Sequence, residues 1–85
     1  MSNNIEIIWH YCTENGLFAE NTRDRFNHHI VPAVQRGESI SDIAVHIRCH
    51  GRITEKNSTD IQNDIEKIMK EGGNYGDQIS LSPAS

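Results

Sequence analysis

Five histidines and two cysteines are the residues of this chain best suited to chemistry near neutral pH. Imidazole titrates between about pH 5 and 8 and serves both as a general base and as a metal ligand. Four of the five, His28, His29, His46 and His50, fall within residues 28–50, and His50 directly follows Cys49. His46 and His50 are one helical turn apart with Cys49 between them, a zinc-ligand pattern if His10 and Cys12 complete the set. Structural zinc sites use two tightly spaced ligand pairs, and the spacing here is irregular. The expectation is therefore a helix shoulder beside the core, with no metal and no cofactor. Cys12 and Cys49 read as free thiols in a reducing, cytoplasmic setting. No serine or cysteine sits in a nucleophile elbow, and no glycine-rich phosphate loop is present.

The run His28-His29-Ile30-Val31-Pro32, followed by Gly37 and then Cys49-His50, resembles the core of HNH endonucleases. The resemblance covers residues 28–53. It implies a histidine at a strand end acting as the base that activates water against a phosphodiester. It also implies a histidine on the following helix that binds a divalent metal. On this sequence His29 would be the base, His50 a metal ligand, and His28 would take the place of the first ligand. The family's middle asparagine has no counterpart, Ser41 and Asp42 being nearest, and its paired cysteines are absent.

A second resemblance is to helix-turn-helix DNA binders. Ser39-Ile40-Ser41-Asp42-Ile43-Ala44 resembles the first helix of that motif, with residues 58–70 as the reading helix. Gly51 to Asn57 make the intervening turn longer than the three or four residues the motif uses. Asp60, Asp64, Glu66 and Glu71 on the second helix would oppose phosphates.

The elements that must position these groups follow from apolar periodicity and punctuation. Ile5, Ile8, Trp9 and Cys12 recur at helical spacing, which predicts a first helix over residues 4–15, capped by Ser2, Asn3 or Asn4 and stopped at Gly16. Ile7 and Tyr11 form a second stripe on it, as on a helix that offers one face to a partner. Phe26, Ile30 and Val34 predict a second element over residues 22–36, capped by Asn21 or Thr22, in which Pro32 forces a kink or break near residues 29–31. Ile40, Ile43, Ala44 and Ile47 predict a third over residues 39–50, capped by Ser39 and stopped at Gly51. Ile61, Ile65, Ile68 and Met69 predict a fourth over residues 58–71, capped by Ser58 or Thr59, with Glu66 and Lys70 as an outer pair. From Gly72-Gly73 onward composition turns to Gly, Asn and Ser, which predicts a disordered tail over residues 72–85.

Eighty-five residues, 35% hydrophobic and 24% charged, suffice for one domain, here residues 1–71. No apolar run is long enough to span a bilayer, so no membrane role is expected. The formal charge of −4 is uneven. Residues 1–20 carry three glutamates and no base, residues 57–85 sum to −3, and residues 21–56 sum to +2. A basic middle between acidic ends suits an anionic partner.

The reading is an all-α bundle of three to four short helices, its core drawn from Ile5, Ile8, Trp9, Phe26, Ile30, Ile40, Ile43, Ile47, Ile61, Ile65 and Ile68. Leu17 and Phe18 close one end. The function expected is that of a small bacterial or phage-type accessory protein, not an enzyme and with no catalytic residue. It would regulate or inhibit a protein partner or self-associate, nucleic acid being the less favoured partner. Its contact groups are expected to be Ile7, Tyr11, Arg23, Arg25, Arg48 and Arg52, since aromatic and arginine side chains dominate interface energetics.

Overall fold

The computed structural model describes residues 4–71. Ser2 and Asn3 as caps, the glycines at 72–73 and the expected tail over residues 72–85 lie outside the described residues. Among the described residues there are five α-helices, one 3-10 turn and no strand. They are α1 (Asn4–Glu14), the 3-10 turn Glu20–Thr22, α2 (Arg23–His29), α3 (Val31–Gln35), α4 (Ile40–His50) and α5 (Ser58–Lys70). No helix among them is long and apolar enough to cross a membrane.

Local chemistry sets most boundaries. The chain breaks at Ile30, between α2 and α3, because Pro32 supplies no N–H and its ring restricts the turn before it. Ile30 still donates to Phe26 at 2.8 Å, so the joint is a kink between two short helices rather than a loop. At α1 and α3 the exits are Schellman motifs. Leu17 N–H reaches the Cys12 carbonyl at 2.8 Å and Gly16 N–H the Thr13 carbonyl, with Gly16 at φ 71°. Glu38 and Gly37 repeat the pattern on Ala33 and Val34, with Gly37 at φ 76°. Ser39 caps α4 by accepting from Asp42 N–H at 3.1 Å. The cap of α5 is Asn57, not Ser58 or Thr59: Asn57 accepts from Asp60 N–H at 2.8 Å while Asp60 accepts from Asn57 N–H at 3.1 Å. This reciprocal box satisfies two of the four free amides of the helix start.

The core is one cluster: Ile8, Tyr11, Cys12, Leu17, Phe18, Phe26, Ile30, Ala33, Ile43, Ala44, Ile47, Ile61, Ile65 and Ile68. Ile5, Trp9 and Ile40, expected inside, are half-buried against its edge. Trp9, Phe18 and Phe26 pack edge-on or tilted, their ring centroids 5.0–6.2 Å apart. Each such pair adds about 0.5–1.5 kcal/mol beyond simple burial. They join α1, the loop after it and α2 into one layer, on which α4 packs, with α5 against α4.

The outward face expected of Ile7 and Tyr11 is not there. Tyr11 is 2% exposed and Ile7 packs half-buried on the core. The cause is α5, whose Asp64 receives the Tyr11 hydroxyl at 2.5 Å, so that the second stripe of α1 meets a neighbouring helix of the same chain.

Candidate functional site: a basic histidine cleft

Helices α2 and α4 end side by side, and their last turns carry the histidines. His28 and His29 close α2; His46 lies one turn before the end of α4 and His50 closes it. The His29 and His50 rings stack face to face, centroids 3.8 Å apart and planes within 3°. His28 meets His29 edge-on at 4.7 Å, and His46 lies 6.3 Å from His50. Two helix C-termini point their partial negative charge at this group, which favours cationic rings there. Mutual repulsion acts the other way.

Desolvation is the largest influence on His29, followed by the neighbouring His50, His28, Arg25 and His46; together they hold its pKa below the usual imidazole range. Among the described residues one carboxylate is bonded to the cluster. Glu38, in the turn before α4, lies 2.9 Å from His46 Nε2. Glu38 is also engaged by the Arg36 guanidinium, and that bond more than the histidine keeps it well ionised.

Beside the stack lies an open cleft of about 310 Å³ lined by Leu17, Phe18, Thr22, Arg25, His50, Gly51 and Arg52. The buried Leu17 and Phe18 close its floor, its rim is cationic, and among the described residues no carboxylate lines it. Arg25 and Arg52 are both exposed, and neither forms an ion pair among the described residues. The Thr22 hydroxyl donates to Ala19, and the Gly51 and Arg52 amides donate to Ile47 and Leu17. The donors left facing the cleft are thus Arg25, Arg52 and the His50 ring.

Close approach builds this cleft. A Cβ on Gly51 would sit 2.5 Å from the Leu17 carbonyl oxygen and 2.7 Å from that of Ile47. Gly51 has an extended backbone, φ −90°, so glycine is needed there for space and not for handedness. Its absent side chain lets Arg52 N–H bond Leu17 at 2.6 Å, which draws the loop after α1 against the end of α4.

The remaining expected contact arginines behave differently. Arg23 is held within the fold: its guanidinium bonds Glu6 at 2.7 and 3.2 Å and Asn27 at 2.8 Å, and lies over the Trp9 and Phe26 rings. Arg48 is half-buried on α4. Of the six contact groups read from the sequence, Arg25 and Arg52 are the two the fold brings to one open surface. Leu17, Phe18 and Gly51 complete that surface and were legible only as a cap and a helix stop.

The zinc ligand set is not assembled. Cys12 is buried in the core and Cys49 is exposed. Among the described residues no group of three or more His, Cys, Asp or Glu is arranged to hold a metal ion. Cys12 is committed to the core, and the His50 ring is stacked on His29, which is not one of that set. The strand implied by the HNH resemblance is replaced by α2 and α3, so His29 lies at a helix end and not a strand end. In the helix-turn-helix comparison, Asp60 caps α5 and Asp64 is bonded to Tyr11 and Lys56 at 2.5 and 2.9 Å. Those carboxylates serve the fold.

Comparison with known protein families, curated proteins and solved structures returns no match for this chain.

Proposed function

We propose that this chain is a small accessory protein, without catalysis of its own, that regulates or inhibits a partner protein by docking an acidic surface of it on the Arg25–His50–Arg52 cleft. The observation that carries this reading is the pairing of two exposed guanidiniums with the His50 imidazole around a cleft closed beneath by the buried Leu17 and Phe18, with no carboxylate lining it among the described residues. Arginine is among the side chains in which interface affinity concentrates. Ile53, next in the chain to Arg52, is 81% exposed, which supplies apolar contact suited to a protein more than to a phosphate backbone. An overall charge of −4 likewise favours a local acidic patch over a polyanion.

The test is affinity capture with the full chain and with a double variant, Arg25→Glu with Arg52→Glu, whose folding is checked by circular dichroism. The wild type should retain an acidic protein that elutes with salt and is lost in the variant. Equal capture by both, or retention of duplex DNA in place of protein, defeats the reading. Sedimentation of the wild type alone reads out self-association.

A further inference from the structure

We propose that the Arg25–His50–Arg52 cleft is a seat for one dianionic oxyanion of the phosphate type, and that the His29–His50 stack couples its occupancy to protons. This rests on the reading of the cleft as the partner-binding surface and names the group it recognises. Two guanidiniums and an imidazole on a concave apolar floor supply charge-assisted donors for a tetrahedral anion. The main-chain amides and the Thr22 hydroxyl of the same cleft are already committed within the fold.

The coupling follows from distance. His50 lines the cleft and His29 lies parallel to it at 3.8 Å, with Arg25 and His28 from α2, His46 from α4 and Arg52 from the following loop around them. Among the described residues the one carboxylate seen on the cluster, Glu38, is on His46 and shared with Arg36. Charging both rings of the stack therefore brings like charges together without a nearby counter-ion. An anion in the cleft supplies that counter-ion. By linkage, protonation must then strengthen anion binding as much as the anion favours protonation. If the anion raises the titrations of the two rings by one pH unit in sum, affinity rises about tenfold once the rings are charged.

Sulfate is the probe, because it stays dianionic across the range whereas phosphate does not. Ring-nitrogen NMR of the full chain follows His29 and His50 from pH 8 to 5 in sulfate and in chloride at equal ionic strength. Millimolar sulfate should raise both titrations, and its affinity should be about tenfold greater at pH 5.5 than at pH 7.5. The variant Arg25→Gln with Arg52→Gln, both exposed sites, should lose the response. His50→Gln should keep weak sulfate binding without its pH dependence. Identical titrations in sulfate and chloride, or an unchanged response in the arginine variant, overturn the proposal; the second outcome would mark a general salt effect. A phosphoserine peptide that outcompetes its unmodified form assigns the anion to a modified protein, and sulfate binding without that preference assigns it to a free anion. Duplex DNA bound with a salt dependence of several phosphates overturns the single seat. A null sulfate result together with neutral-pH capture of an acidic protein sinks the oxyanion seat alone. Loss of both sinks the docking surface too.

Discussion

The phenol of Tyr11 donates to the Asp64 carboxylate at 2.5 Å, joining α1 to α5 across 53 positions of the chain. Lys56 donates to the same oxygen at 2.9 Å. Burial alone would raise the titration of Asp64, but these two hydrogen bonds outweigh it and hold the carboxyl below its usual range. Tyr11→Phe keeps the buried ring and removes only the donor. It should cost about 1.5–3 kcal/mol in chemical denaturation, the usual range for a hydrogen bond to a charged group. Tyr11→Phe and Asp64→Asn together should be less costly than the sum of the two single changes, because they remove one shared contact. Strict additivity would mean that the bond contributes nothing to holding the two helices.

Gly51 and Gly37 both end helices, yet for unlike reasons. Gly37 takes a left-handed turn with open space around it, so Gly37→Ala should cost about 1 kcal/mol of backbone strain. At Gly51 the obstacle is two carbonyl oxygens at 2.5 and 2.7 Å, backbone atoms that cannot swing aside. Gly51→Ala should cost about 2–3 kcal/mol, as overpacking does, and should loosen the Leu17 side of the cleft. Thermal melts of the two variants should rank in that order.

How far such features can be read from sequence depends on whether they are local. Ser39 as a cap, Pro32 as a break and Gly16 and Gly51 as stops are decided within one helical turn, and the structure bears each of them out. The apolar stripe of α4 is equally local, and Ile43, Ala44 and Ile47 are buried as their spacing implies. Tyr11 is the contrary case. Its position on α1 shows a second stripe, but only the placement of α5, fifty residues on, decides whether that stripe meets a partner or the chain's own core. Nor can spacing show that residues 29 and 50 stack, since that depends on how α2 and α4 cross. The resemblance of residues 28–53 to a nuclease core rests on residue types alone, and Pro32 within a helical segment directed the backbone elsewhere.

The two thiols should differ sharply in reactivity. Burial pushes the Cys12 thiol up to about 12, so at neutral pH it carries almost no thiolate. Cys49 is exposed on α4. Iodoacetamide should modify one thiol per native chain, at Cys49, and the second only after denaturation. Mass mapping of the labelled peptides checks this. Equal labelling of Cys12 in the native chain would contradict its place in the core.

Acid should weaken the fold in two stages. His29 has its titration lowered by desolvation and by the charges of His50, His28, Arg25 and His46, so its proton is bound more readily in the unfolded chain. Its contribution is therefore complete well above about pH 6.5 and is lost as pH falls below that value toward the lower folded one. The second stage belongs to Glu6, Glu38 and Asp64, whose titrations the Arg23, Arg36, Tyr11 and Lys56 contacts lower. Their stabilisation is present above about pH 4 and fades as pH drops through their folded values. Melting temperature in chloride should thus be flat above pH 7, decline as pH falls below about 6.5, and decline again below about pH 4. His29→Gln should remove the first decline and leave the second. A first decline that survives in His29→Gln would place its origin outside His29, and a melting temperature that rises on acidification would reverse the sign of the combined desolvation and repulsion at His29.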